Sequence, residues 1–180
     1  MSAKRAKLLI VDDDENYLKS LCKTLERDFY ILCAASFTEA KGLLSSRPDM
    51  ALLDIRLEDS DPSNREGIEL LKLIRSLMPW VPVVMITAYG DVDVAVEAMK
   101  LGALDFIQKD KAELGEVRRA LVNVFERARL QRRVSELEED LQRLEPWKLV
   151  GDDPKIQEVK RQIDMVAQDG KVTVLIRGAT

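Results

Sequence analysis

Leu8-Leu9-Ile10-Val11-Asp12-Asp13 is an apolar run that ends on paired carboxylates, and three further runs repeat the pattern. Asp54 closes Met50-Ala51-Leu52-Leu53, Thr87 closes Val83-Val84-Met85-Ile86, and Lys109 closes Leu104-Asp105-Phe106-Ile107-Gln108. Short apolar runs bounded by polar residues read as buried parallel strands. In an open α/β sheet the ligand crevice lies outside the carboxyl ends of the strands. These four strand ends therefore predict one crevice holding three carboxylates, a hydroxyl and an ammonium.

Around these runs, strand and helix signals alternate from Lys7 to about Phe125. Strands are expected over 7–11, 29–34, 50–54, 82–86 and 104–107, and helices over 15–27, 36–46, 65–78, 91–100 and from near Lys111. Five βα units with short loops predict an α/β fold, a doubly wound five-stranded parallel sheet with helices on both faces. Pro48, Pro79 and Pro82 fall near strand entries, and Gly102 falls just after the fourth helix, where such punctuation belongs.

The fifth helix is expected to continue to about Glu145, longer than the domain needs. Leu114, Val117, Leu121, Val124 and Ala128 fit a face packed on the sheet. Leu130, Val134, Leu137, Leu141 and Leu144 then follow at 4-3-4-3 spacing, out of phase with the first stripe. This second stripe predicts a dimeric coiled coil, with a solvated helix folded back on its own domain as the plainer alternative. Arg127, Arg129, Arg132 and Arg133 beside the seam read as a solvated face rather than a nucleic-acid patch. Pro146 ends the helix. Ile156, Val159, Ile163 and Val166 mark another amphipathic helix, and Val172-Thr173-Val174-Leu175-Ile176 a buried strand before Gly178. A lone helix and strand cannot bury a core, so this tail reads as the opening of a further domain, cut at Thr180.

Composition narrows the function. The chain has 180 residues, 46% of them hydrophobic and 33% charged, with a net charge of −4, which describes a soluble protein with no overall attraction for DNA or anionic membranes. No apolar run approaches the roughly 20 residues that span a bilayer. The basic start Lys4-Arg5-Ala6-Lys7 leads into an apolar stretch that stops too soon for a signal peptide. A cytoplasmic protein is expected, with Cys22 and Cys33 as two reduced, packed thiols. The absence of histidine excludes Ser-His, Cys-His and imidazole-metal catalysis within the chain, and any phosphohistidine donor must be another protein.

The crevice residues suit phosphoryl transfer. Mg²⁺ is a hard cation that takes oxygen ligands, and clustered carboxylates repel one another until a cation neutralises them. Asp54 could then attack phosphorus and form an acyl phosphate. The charge spread over the equatorial oxygens would be met by Mg²⁺, Lys109 and Thr87. The plainer alternatives are that Asp13 or Asp14 caps the following helix and that Lys109 is an ordinary surface lysine.

At these positions the chain resembles the receiver domain of bacterial two-component response regulators. The resemblance is carried by Leu9-Ile10-Val11-Asp12-Asp13, Leu53-Asp54-Ile55-Arg56, Ile86-Thr87-Ala88 and Asp105-Phe106-Ile107-Gln108-Lys109. It implies a flavodoxin-like fold with Asp54 as phosphoacceptor. Asp12, Asp13, Asp54 and the Arg56 backbone carbonyl would hold Mg²⁺. Thr87 and Lys109 would bind the phosphoryl group, and Thr87 and Phe106 would form the switch. The implied partner is a histidine kinase. The implied chemistry is Mg²⁺-dependent self-phosphorylation and autodephosphorylation rather than turnover of a substrate.

The tail resembles the opening of the AAA+ ATPase domain of sigma-54-dependent transcription activators of the nitrogen-regulator class. Leu149-Val150-Gly151-Asp152-Asp153-Pro154 and Val174-Leu175-Ile176-Arg177-Gly178 carry that likeness. The implied organisation is a receiver over 1–125, a dimerising linker helix over 126–146 and an ATPase fragment over 147–180, cut before the phosphate loop. The lysine and later glycine of that loop are missing, so this chain is expected to bind no ATP; with the parent's DNA-binding module also absent, no nucleic acid is expected in this fragment. DNA and sigma-54 polymerase would be partners of the full-length parent. Two departures from the receiver pattern stand out. Asp110 follows Lys109 where proline is usual, so that bond is either trans or strained. The loop from Asp54 to Gly67 is longer than usual and carries Glu58, Asp59, Asp61 and Arg65, either a tolerated insertion or a lid or partner contact. These departures motivate the rival reading, a phosphorylation-independent pseudo-receiver that acts as a dimerisation scaffold.

Overall fold

A computed structural model describes residues 5–58, 63–88, 92–144, 151 and 153–167. The alternation expected from the sequence is present. The elements are β1 Lys7–Val11, α1 Glu15–Leu25, β2 Tyr30–Ala34, α2 Phe37–Leu43, β3 Met50–Asp54, α3 Glu66–Leu77, β4 Val83–Thr87, α4 Val92–Lys100, β5 Asp105–Gln108, α5 Leu114–Leu144 and α6 Pro154–Ala167. A single 3₁₀ turn, Leu44–Ser46, follows α2. The strands form one parallel sheet in the order β2-β1-β3-β4-β5. The direction of winding reverses between β1 and β3, and a crevice opens there at the carboxyl ends of those two strands.

The three central strands are sealed on both faces, which is why they read as continuous apolar runs. Every residue of β3 and β4 is buried. Alternate residues feed two cores. Leu9, Val11, Ala51, Leu53, Val83 and Met85 pack under α2, α3 and α4. Leu8, Ile10, Met50, Leu52, Val84 and Ile86 pack under α1 and α5, where Val117 and Leu121 are fully buried. Full burial of one such aliphatic side chain contributes about 1.5–3 kcal/mol.

Helix ends follow the local sequence. Asp14 caps α1, its side chain accepting from the N–H groups of Asn16 and Tyr17. Ser36 caps α2 by accepting from Glu39 N–H. Gly102, at φ +98°, turns the chain out of α4: its N–H donates to Met99 O, and Ala103 N–H donates to Ala98 O.

By contact the chain divides into two units, Met1–Arg132 and Arg133–Thr180. Helix α5 is 31 residues long. Its first stripe packs as the sequence predicts. Leu130, Val134, Leu137 and Leu141 of its second stripe are exposed, by 61%, 54%, 45% and 63%. The Leu144 side chain lies outside the described residues. Helix α6 begins on Pro154, with Asp153 accepting from Lys155 N–H. The expected tail strand, Gly178 and the segment around Pro146 lie outside the described residues.

Cys22 and Cys33, expected as two packed thiols, lie side by side, with Cα atoms 7.5 Å apart, beyond the usual reach of a disulfide. Strand alternation places Cys33 with Ile31 on the face covered by α1, and Cys22 lies on that helix. Among the described residues no helix is long and apolar enough to cross a membrane.

Gly67 sets the distance between α3 and the end of β3. A Cβ there would lie 1.8 Å from the Asp54 carbonyl oxygen. Gly67→Ala must therefore displace the start of α3. It should lower unfolding free energy by about 1–3 kcal/mol, the usual cost of overpacking, as measured by urea denaturation.

Candidate functional site

The crevice is assembled from backbone ends first. Asp12 directly follows β1, and its N–H donates to Ala34 O, which prolongs the β1–β2 pairing by one residue. Lys109 follows β5 and donates its N–H to Thr87 O, which does the same for β4 and β5. Asp54 and Thr87 are the last residues of β3 and β4. Parallel register thus brings side chains up to 97 residues apart in sequence, Asp12 to Lys109, into one small volume.

Burial gives these groups their chemistry. Asp12, Asp54 and Thr87 are 0%, 4% and 2% exposed, and they are the buried polar residues among those described. Lys109 Nζ lies 2.5 Å from Asp54 Oδ2 and 2.7 Å from Asp12 Oδ2. Lys109 thus bridges the two carboxylates, with hydrogen-bond geometry clearest to Asp54. Asp12 Oδ1 accepts from Asp14 N–H at 3.1 Å. Oxygens of Asp12, Asp13 and Asp54 lie within 4.8 Å of one another.

One ammonium does not neutralise three such carboxylates. Burial pushes the Asp54 carboxyl up to about 7. Lys109 opposes that rise, and Asp12 and Asp13 add to it. Asp12 is raised for the same leading reason. Burial disfavours the Lys109 cation, but Asp54 and Asp12 outweigh this and hold it charged. The donor set suits a hard divalent cation: all oxygen, densely acidic and held close. Mg²⁺ fits it. Arg56, two residues past Asp54 and half-buried, is placed in the loop that borders this cluster.

Phe106 pairs in register with Met85 and packs on the face covered by α4. Alternation from Val83 and Met85 turns Thr87 to that same face. The two residues expected to form the switch therefore share one side of the sheet.

Asp14 caps α1, and this separates it from the paired Asp12 and Asp13. Asp110 is exposed, and no cis peptide bond occurs among the described residues, so the Lys109–Asp110 bond is trans. The long loop is tied at its base: Asn64 Oδ1 accepts from both Leu57 N–H and Glu66 N–H, and Gly67 N–H donates to Ile55 O. Arg65 reaches Glu97 of α4 at 3.4 Å. Asp59 and Asp61 lie outside the described residues.

Sequence reasoning missed Tyr17. This residue sits in the first turn of α1, and the Lys109 ammonium lies 4.9 Å from its ring centroid. The available signal was positional. A side chain on the buried face of a first helical turn leans back towards the helix N-terminus, here towards the crevice.

A crevice of buried carboxylates, a lysine and a threonine at the ends of parallel strands defines a phosphoacceptor class of α/β domain. Residues 8–121 match the response regulator receiver domain, and the chain belongs to that family. The photosynthetic apparatus regulatory protein RegA of Cereibacter sphaeroides is 39% identical over 64% of this chain and 60% of its own length. The DNA-binding transcriptional regulator NtrC of Proteus hauseri is 32% identical over 97% of this chain and 36% of its own. A crystal structure of NtrX from Brucella abortus superposes with a TM-score of 0.70 at 28% identity, covering 91% of this chain and 35% of that one. The chain thus spans about three fifths of RegA and about a third of NtrC and NtrX. The matches to the latter two run well past residue 121, as the likeness read from the tail implies.

The raised Asp54 fixes a sign for stability. Its folded value of about 7 exceeds the roughly 3.9 of an unfolded aspartate, so protons bind the folded state more tightly between those values. Stability from this group is full below about pH 4 and falls as pH rises through 7. In metal-free buffer Asp54→Asn should therefore raise the melting temperature at pH 8. The gain should shrink towards pH 4, and Mg²⁺ should also narrow it.

Proposed function

We propose that this chain is the phosphorylation-controlled part of a transcription activator of the nitrogen-regulator class. Asp54 accepts a phosphoryl group from a partner histidine kinase, and the rearranged dimer controls a C-terminal sigma-54 activator ATPase. The observation that supports this most is the Lys109 ammonium shared between Asp12 and Asp54 inside a buried acidic crevice.

The division of labour follows from position. An Asp54 carboxylate oxygen attacks phosphorus in line, the new O–P bond forms as the bond to the donor breaks, and an acyl phosphate results. Only the ionised carboxylate is nucleophilic, and burial works against ionisation. Asp12, Asp13, Asp54 and the Arg56 carbonyl would hold Mg²⁺, which would supply the charge that offsets this burial. Lys109 then follows the negative charge from the Asp54 oxygen to the phosphoryl oxygens. Thr87 offers its hydroxyl to a second phosphoryl oxygen. Movement of that hydroxyl changes the space beside Phe106 on the α4 face, which links chemistry to a two-state surface.

The linker reads as residues 126–146 and the ATPase fragment as 147–180. The exposed stripe Leu130, Val134, Leu137 and Leu141 supports a coiled-coil homodimer, because apolar residues at heptad spacing form a seam that a second such helix can cover. The chemistry is that of a self-phosphorylating and self-dephosphorylating acceptor, cytoplasmic and free of membrane or nucleic-acid contacts in this segment. The rival scaffold reading rests on Asp110 and the long acidic loop; Asp110 is exposed and adds no buried charge to the crevice.

Incubation with Mg²⁺ and acetyl phosphate should add one phosphoryl group by intact mass, and Asp54→Asn should take none. Equal labelling of both proteins, or of neither, would refute the assignment. Leu137→Asp should raise the dimer dissociation constant at least tenfold by sedimentation equilibrium, about 1.4 kcal/mol. An unchanged constant would remove the coiled coil from the account.

A further inference from the structure

Tyr17 has two features that plain packing does not need. Its ring lies beneath the Lys109 ammonium, 4.9 Å from ring centroid to Nζ. Its hydroxyl oxygen is buried and has no hydrogen-bond partner among the described residues. A phenylalanine would fill the same volume against the α1–α5 core without burying a polar atom. The hydroxyl also lies within the fields of Lys109, Asp12 and Asp54, and burial is the chief cause that holds it above the ordinary phenol range. At neutral pH it is therefore an O–H donor with nothing to donate to.

Its position is fixed from several sides. Tyr17 N–H donates to Asp14 Oδ1 at 3.1 Å, and Asp14 N–H donates to Asp12 Oδ1 at 3.1 Å. The ring packs against the apolar cluster beneath α1. A short chain of hydrogen bonds thus ties the residue to the paired carboxylates. Lys109 already occupies Asp12 Oδ2 and Asp54 Oδ2. The phenol has no acceptor in the unphosphorylated site, and phosphorylation brings three strong acceptor oxygens to Asp54.

We propose that Tyr17 is a further residue of the phosphoryl site: its ring seats the Lys109 ammonium, and its hydroxyl donates to an oxygen of the phosphoryl group on Asp54. This rests on the phosphoacceptor reading above. The two parts separate by substitution, because Tyr17→Phe removes only the hydroxyl and Tyr17→Leu removes the aromatic face as well.

The whole chain and both variants are phosphorylated with Mg²⁺ and acetyl phosphate and followed by intact mass. Mg²⁺ affinity and metal-free melting temperature are measured alongside. Tyr17→Phe should phosphorylate about three- to tenfold more slowly, the effect of one hydrogen bond. Its Mg²⁺ affinity should be unchanged and its melting temperature equal or higher, since an unpartnered buried hydroxyl has been removed. Tyr17→Leu should be slower still. A wild-type rate in Tyr17→Phe overturns the proposal. So does a slower rate accompanied by a lower melting temperature, which would mark a structural hydroxyl. A wild-type chain that takes no phosphoryl group would fell the phosphoacceptor reading itself, and the Tyr17 assignment with it.

Discussion

The Lys109 ammonium, 2.5 Å from Asp54 and 2.7 Å from Asp12, holds together a crevice that would otherwise repel itself. Both carboxylates are buried, and a third, Asp13, stands beside them. Taking charges out of water costs several kcal/mol for each ion unless partners restore it. One cation for three carboxylates leaves the site acidic and under-compensated, and burial, with Asp12 and Asp13 adding to it, pushes Asp54 up to about 7. That imbalance suits the site to a divalent cation, and under the proposed function it lets Lys109 follow negative charge from the carboxylate to a phosphoryl group.

The fold exists in the form it does to hold that crevice. Parallel pairing puts every strand end on one edge, and reversal of winding between β1 and β3 opens the space beside Asp12 and Asp54. The backbone hydrogen bonds Asp12 N–H to Ala34 O and Lys109 N–H to Thr87 O carry the sheet's order one residue beyond the strands, into the charged groups. Gly67 lets α3 start in contact with the Asp54 carbonyl, so Asp54 is braced by a helix rather than by a free loop. Thr87 and Phe106 then face α4 from neighbouring strands.

The legible part of the sequence was the part governed by burial on both faces. Strands such as Met50–Asp54 and Val83–Thr87 are apolar throughout because both sides are covered, and their polar terminators mark the crevice directly. Resemblance then turned those terminators into roles. The edge strand was less plain, since Tyr30 and Cys33 are exposed and its pattern is mixed. The Cys22–Cys33 contact depends on how α1 lies over β2, a tertiary relation with no local signature. Tyr17 escaped for a similar reason. An aromatic in a first helical turn looks like core, and only the Lys109 Nζ above its ring reveals the difference. In α5 the phase break between Ala128 and Leu130 was readable from spacing alone, because a helical stripe is a one-dimensional signal.

The most direct test of the Lys109-centred account is a crystal structure of the chain grown with Mg²⁺ and beryllium fluoride, a stable mimic of the phosphoryl group. The account predicts beryllofluoride on Asp54, Mg²⁺ among Asp12, Asp13 and Asp54, and Lys109 Nζ moved from the Asp12–Asp54 pair onto a fluoride. A structure in which Lys109 still bridges Asp12 and Asp54, with Asp54 unmodified under saturating Mg²⁺ and beryllium fluoride, would contradict it.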